Sequence, residues 1–436
     1  MTSTYGQRPA APPEFNPLSE SALLDPASMY DQIRTERPVF WHEQLGTWVV
    51  TRRDDVDTVL MDWKTFSCRG NGGNLPVPEQ FTSIVTSELM AHISISMDPP
   101  IHTEMRRVAQ RGFLKPVIDA LEPEIEARAH RIIDRLADRG TAELMEDYCL
   151  ELTTQTLMAL MDLPDSFEPM MRQLRDDHFA VLASGREPME EPRRTEVWTR
   201  YTNAQLALRE VVRERRDSTA SDLISVMASA RNRDGEPTLS DERVALHLCE
   251  FSAAGTDTTA QGMANAVIFL SRNEDQLDQA QADPSLWPRV FEETLRRRPS
   301  APFASRQATR DVELSGVTIP AGTWCGWHWP APATTPSITR NRRSGTSTAT
   351  SPPITTRSPR ADTPVWASRS AGRRAPPGSV SCSNDCPACA SLPTSHRTSS
   401  PWSCFRSDVA SSRPGTRPTA PPNNSPTRTS PCKRHL

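Results

Sequence analysis

From Cys325 to Leu436 the chain holds seven aliphatic side chains in 112 residues: two leucines, two isoleucines and three valines. The same stretch contains 18 of the 40 prolines. Ordering a residue costs roughly 1–2 kcal/mol of backbone entropy, whereas a fully buried aliphatic side chain returns about 1.5–3 kcal/mol. Seven such side chains cannot offset the ordering of 112 residues, so polar coil is expected there. Charge divides at the same place. The stretch has 15 basic and 3 acidic residues, a formal +12, which leaves −16 on residues 1–324 of a chain whose total is −4. Residues 1–323 are therefore expected to form the folded domain. Residues 324–436 read as a basic Pro/Ser/Thr/Arg-rich tail, disordered beyond about 324.

The 436 residues suit one large or two ordinary domains. A near-neutral balance argues against a protein built to neutralise nucleic-acid phosphates. No apolar run approaches the roughly 20 residues of a membrane span, and Met1–Gly6 lacks the charged-then-apolar plan of a secretory signal. The nine cysteines are odd in number and scattered, unlike a disulfide framework. The expected location is cytoplasmic. In the tail, Cys386 and Cys389 have metal-ligand spacing with Cys382 four residues earlier. No second pair follows and His396 stands alone, so structural zinc is not expected. The tail's arginines are spread rather than clustered, which disfavours nucleic acid as a partner.

Within residues 1–323 the pattern is helical. Val39-Phe40-Trp41 and Trp48-Val49-Val50-Thr51 flank Gly46 as a β-hairpin. Ile118, Leu121, Ile125, Ala129, Ile132, Ile133 and Leu136 place one apolar stripe along a helix over 116–138. Further helices are predicted over 141–164, 193–216 and 221–230. Helices in succession without alternating strands give a mostly α protein with a small β part. The longest helix is predicted to begin near Thr238, with Asp241 completing an acidic cap, and to run to Leu270, about 45 Å. It is apolar on most sides and so must be buried. A helix over 286–297 and a tight hairpin, Val312–Leu314 with Val317–Ile319, follow. Pro320-Ala321-Gly322 closes the hairpin.

Candidate chemistry is sparse. Ala254-Gly255-Thr256-Asp257-Thr258-Thr259 lies inside the longest helix. Its hydroxyls can bond back to carbonyls one turn earlier, as in any buried helix. Asp257 fits that reading poorly, since an unpaired carboxylate among apolar groups costs several kcal/mol or takes a proton. Gly255 leaves the backbone open to close approach. An acid beside an alcohol in a dry helix suits proton delivery. Glu293 and Arg296 can meet on one helix face, as can His102 and Arg106 after Asp98-Pro99-Pro100, although both also read as ordinary surface pairs. Arg306 adds a third cation suited to anionic groups of a cofactor.

Taken together and in order, these segments resemble the bacterial cytochrome P450 monooxygenases. Asp98-Pro99-Pro100-Ile101-His102-Thr103-Glu104-Met105-Arg106-Arg107 resembles their haem-facing helix. Ala254–Thr259 is similar to their oxygen-activating motif, and Glu293-Thr294-Leu295-Arg296 to their E-x-x-R. Arg306–Thr309 and Ile319–Thr323 resemble the segments that follow. The resemblance implies haem b beneath the central helix, with Ala254 and Gly255 beside it and His102, Arg106 and Arg306 near its propionates. It also implies proton delivery by Asp257 and Thr258, and a structural Glu293–Arg296 pair. The implied reaction inserts one oxygen atom of dioxygen into a small organic substrate. Electrons would come from a ferredoxin-type donor and its NAD(P)H reductase. The loops around 71–79 and 182–194 would line the substrate.

One element departs from the family. Its iron takes a cysteine thiolate from F-x-x-G-x-H-x-C-x-G near the C-terminus, and none of the nine cysteines has that neighbourhood, so no metal ligand is assigned. The tail suggests a cause. Tryptophan has the single codon TGG, and reading the last base of each codon with the first two of the next forces several residues. Trp324/Cys325 yields Val, Trp327/His328 Ala, His328/Trp329 Leu and Trp329/Pro330 Ala. Further on, Asp362/Thr363 must yield His or Tyr and Trp366/Ala367 must yield Gly. Pro364/Val365 permits Cys, and the whole segment permits F-x-x-G-x-H-x-C-L-G. A frame lesion near Thr323–Trp324 is therefore expected, in the gene or in its determination. The chain as written is then expected to lack thiolate-dependent oxygen activation. The alternative is a non-catalytic chain, or broken gene product, without haem.

Overall fold

The computed structural model describes residues 8–328, apart from 14, 18, 20, 21, 23–25, 72–74, 76, 186 and 302. Cys382, Cys386 and Cys389, the 357–367 segment and parts of both expected substrate loops lie outside the described residues. Helix α1 (Pro26–Glu36) precedes a hairpin of β1 (Val39–His42) and β2 (Thr47–Val50), followed by α2 (Arg53–Met61) and the short β3 (Phe66–Ser67). Next come α3 (Ser87–Met90), α4 (Ile101–Ala109) and α5 (Lys115–Arg139). Then follow α6 (Leu150–Leu160), α7 (Glu168–Ser184), α8 (Arg193–Glu214) and α9 (Leu223–Ala228). The long α10 (Asp241–Ser271), α11 (Glu274–Ala282) and α12 (Trp287–Arg297) complete the helices. The chain then turns to β4 (Phe303–Ala308), β5 (Val312–Leu314), β6 (Val317–Ile319) and β7 (Trp324–His328).

The mostly helical reading holds, and α10 is its centre. Every residue from Val244 to Ala253 is buried, as required of a helix that is apolar all round. Helices α6, α7, α8 and α12 pack around it. The helix starts three residues later than expected. Ser240, not Thr238, is the N-cap: its hydroxyl accepts from the Arg243 amide at 3.3 Å, and Asp241 and Glu242 occupy the first turn. Thr238 instead donates its amide to the Ala230 carbonyl at 2.9 Å.

Two other helical expectations need correction. The predicted 141–164 helix is divided: a π-turn at Met145–Cys149 leads into α6, which ends at Met161 before the left-handed Asp162 at φ 50°. Helix α7 was not expected. Its buried stripe includes Arg175, Asp177 and His178 beside Met171, Leu174 and Val181, so polar residues interrupt the apolar period that would mark it.

The five-stranded sheet has the order β1-β2-β7-β4-β3, with β2 and β7 parallel and the other neighbours antiparallel. Both faces of the first hairpin are covered. Phe40 and Val49 pack with Phe15, Tyr30 and Ile33, while Val39, Trp48 and Val50 join Val56, Phe66, Ala308 and Cys325. Gly46 turns the hairpin at φ 59°. Strands β5 and β6 form the second hairpin through Ser315 and Gly316, both at positive φ, the geometry that two-residue hairpin turns require. Described order thus runs to His328, five residues beyond the 323/324 boundary, because β7 fills the slot between β2 and β4. Replacing the α10 cap, Ser240→Ala, is expected to destabilise the fold by about 1 kcal/mol in chemical denaturation.

Candidate active site

Two hydroxyls of the Ala254–Thr259 segment bond back within α10. Thr258 Oγ1 donates to the Ala254 carbonyl at 2.8 Å, and Thr256 Oγ1 donates to that of Ser252. Ala254, Gly255, Asp257 and Thr258 are all half-buried, whereas Thr256 is buried. Asp257 is not the unpaired carboxylate expected: its Oδ2 accepts from Gln261 Nε2, one turn on, at 2.6 Å. Burial nevertheless raises its pKa, against the Gln261 bond and the field of Arg175 on α7. A proton is therefore held more tightly there than on an ordinary exposed carboxylate.

Glu293 and Arg296 do meet. Arg296 Nε donates to Oε2 at 2.7 Å and Nη2 to Oε1 at 2.6 Å, while Arg297 Nε reaches Oε1 at 3.1 Å. These donors, Arg296 foremost, hold the Glu293 carboxyl below the usual range. The pair is placed by a contact the sequence did not flag. A Cβ at Gly262 would stand 2.9 Å from Phe291 Cζ and 3.3 Å from Leu295 Cδ2, so α10 and α12 close upon a glycine. The Arg298 carbonyl, just past α12, accepts from Asn265 Nδ2 at 3.4 Å.

His102 is buried and Arg106 half-buried, four residues apart on α4, which begins directly after Asp98-Pro99-Pro100. Arg306 is half-buried on β4 and donates Nη1 to the Ser305 carbonyl at 2.9 Å. Asp98, read in the sequence only as part of a helix start, is buried. It accepts from Ser67 Oγ at 2.5 Å and the Cys68 amide at 2.8 Å. A second polar centre was missed altogether. Glu250 accepts from the Ser94 amide at 2.5 Å, from Ser94 Oγ at 3.0 Å, and bonds His247 Nδ1 at 2.6 Å. Nearby, burial pushes His178 down to about 4, and Tyr201 Oη lies 3.3 Å from its Nδ1. Isolated buried polar residues give no period, and so no signal in one sequence.

Haem makes two separate demands on such a site. Its anionic edge needs cations, and α4 and β4 present His102, Arg106 and Arg306, a donor set of the right chemistry. Its iron, in the family the sequence resembles, takes a thiolate. Among the described cysteines, burial pushes the Cys149 and Cys325 thiols up to about 12 and raises Cys249 further. Burial thus disfavours a thiolate at those three sulfurs. Cys68 is half-buried and its amide is committed to Asp98.

The Cytochrome P450 family profile matches residues 38–329. Cytochrome P450 107B1 of Saccharopolyspora erythraea is 28% identical over 71% of this chain and 75% of its own length. The steroid C26-monooxygenase of Mycolicibacterium smegmatis is 25% identical over 72% and 74%. Among solved structures, cytochrome P450 CYP109Q5 from Chondromyces apiculatus is 29% identical. It superposes with a TM-score of 0.60 over 71% of this chain and 74% of that one. No helix among the described residues is long and apolar enough to cross a membrane.

Three substitutions test this geometry. Gly262→Val is expected to destabilise by about 1–3 kcal/mol, because Phe291 and Leu295 leave no room for a side chain. Glu293 has a depressed folded pKa, so its contribution is present above the ordinary carboxylate range and vanishes as pH falls through the folded value. Asp257, with a raised one, carries the opposite slope: stability is lost as pH rises through its folded value. Glu293→Gln should therefore cost stability at pH 7 and little in acid. Asp257→Asn should gain on the parent as pH rises. Denaturation midpoints across pH check both.

Proposed function

The chain belongs to the cytochrome P450 family, and on that premise we propose a monooxygenase lineage whose parts are distributed over α10, α4, β4 and α12. The family's cofactor is haem, and its members are monooxygenases and related synthases. Haem, when bound, supplies the site at which dioxygen is reduced. In this reading α10 lies over it, with Ala254 and Gly255 leaving space for the approach. Asp257 takes a proton readily because its surroundings are dry, and Gln261 fixes its orientation. Thr258 bonds Ala254 at rest and can present its hydroxyl inward when that bond opens. His102, Arg106 and Arg306 hold the anionic edge. Glu293 and Arg296 act structurally, keeping α12 closed on Gly262. The substrate is a small organic molecule, and electrons arrive from a ferredoxin-type partner fed by an NAD(P)H reductase.

The observation that carries this reading is the Asp257 geometry: a half-buried acid with a raised pKa, beside a threonine, on a helix whose preceding run Val244–Ala253 is buried throughout. The frame lesion near Thr323–Trp324 belongs to the same proposal. Its supports are the forced Val, Ala, Leu and Ala codons and the end of the family match at residue 329. In this reading the domain comprises residues 1–323, and the chain as written lacks the thiolate. The test is to resequence the DNA from the codon for Ile319 to that for Ser368, then express both frames. One base of discrepancy, with a cysteine codon across Pro364/Val365, is expected. The restored frame should take up haem and give the thiolate-type absorption band with carbon monoxide after reduction; the written chain should not give that band. A base at that junction incompatible with TGT would overturn the lesion. A restored protein that takes up no haem would overturn the function.

A further inference from the structure

Asp98 does more than start a helix. Its backbone carbonyl accepts the His102 amide at 3.2 Å, so it belongs to the first turn that orients His102 and, four residues on, Arg106. Its carboxylate faces the other way, into the sheet. Oδ2 accepts from Ser67 Oγ at 2.5 Å and Oδ1 from the Cys68 amide at 2.8 Å, at 9% exposure. Arg69 adds a longer ion pair at 3.7 Å through a side chain 76% exposed, where solvent screens most of its effect. Ser67 in turn is paired in register with Gln307, the residue after Arg306. Asn71, from the same stretch, accepts from Ser305 Oγ at 2.8 Å, the residue before Arg306. One carboxylate thus joins the helix bearing His102 and Arg106 to the strand segment that brackets Arg306.

We propose that Asp98 is a positioning residue for anion recognition, setting the spacing between His102 and Arg106 on α4 and Arg306 on β4. This rests on the assignment of those three cations to the anionic edge of haem. The charge state matters because a carboxylate is acceptor-only. Ser67 Oγ accepts from the Arg69 amide at 3.0 Å and donates its proton to Asp98. An asparagine whose oxygen took the Cys68 N–H would turn NH2 toward Ser67 Oγ, so the hydroxyl would have to accept instead of donate and its proton would lose this acceptor. The joint would loosen without any change in packing volume.

The test compares iron protoporphyrin IX with its dimethyl ester, which keeps the ring and removes the anions. Binding of each to the chain as it stands is followed by tryptophan quenching and by absorbance. The parent is expected to prefer the free acid by tenfold or more. Asp98→Asn and Ser67→Ala are each expected to collapse that preference toward unity while ester affinity stays within about twofold, which a merely structural loss would not do. Ser67→Ala keeps the charge and decides the matter if Asp98→Asn fails to fold. A preference retained in both variants overturns the role of Asp98 while leaving the anion seat in place. Equal loss for both porphyrins also overturns it. A parent that shows no preference, or binds neither, overturns the seat itself and the proposal with it.

Discussion

Burial of α10 on every side is the constraint on which the rest of the molecule depends. Ten consecutive buried residues, Val244–Ala253, can be kept from water only if neighbours cover the whole circumference, and α6, α7, α8 and α12 do so. Polar groups on such a helix must find partners within the protein. Glu250 does so through Ser94 and His247, and Asp257 through Gln261. The dryness that stabilises the helix is also what raises the Asp257 pKa, so packing and prospective chemistry have one origin. Gly262 shows the same economy: the absent side chain lets α12 approach, and the approach places the Glu293–Arg296 pair.

Periodicity made much of this legible. The stripe through Ile118–Leu136 gave α5, the apolar run to Leu270 gave α10, and turn glycines gave both hairpins. Spacing brought Glu293 to Arg296, since three residues on a helix fix neighbours. The failures share a cause. Helix α7 hid because Arg175, Asp177 and His178 point inward, and two of them find partners on α8: Asp177 pairs with Arg200 at 2.7 Å and Tyr201 Oη lies 3.3 Å from His178 Nδ1. Asp98 and Ser67 are 31 positions apart and Ser94 and Glu250 are 156 apart. Nothing local in a sequence marks such bonds. The cap at Ser240 was missed by two residues because Thr238 and Ser240 carry the same hydroxyl chemistry.

The two halves of a haem site are physically separable here. On the proposed reading, cation placement would depend on α4, β3 and β4, which the Asp98–Ser67 bond and the Ser67–Gln307 register join. Thiolate supply depends on a sulfur in surroundings that favour its charge, and the buried Cys149, Cys249 and Cys325 sit where the charge is disfavoured. A chain can therefore keep the recognition of the group's edge while lacking the ligand for its metal.

The position of β7 carries a consequence for how this molecule is made. It is an interior strand of the sheet, parallel to β2 and tied to it by Thr47 Oγ1 donating to the Trp324 carbonyl at 3.0 Å, across 277 positions of chain. Helices α5 to α12 can assemble as they leave the ribosome, through contacts of modest separation. The β1–β2 hairpin must wait for 277 further positions of chain before its open edge is covered. Non-local closure of this kind is slow, and an uncovered edge invites pairing with another chain. A reading error at residue 323 or 324 would thus strike after the helices had committed to their places and at the moment the sheet was due to close.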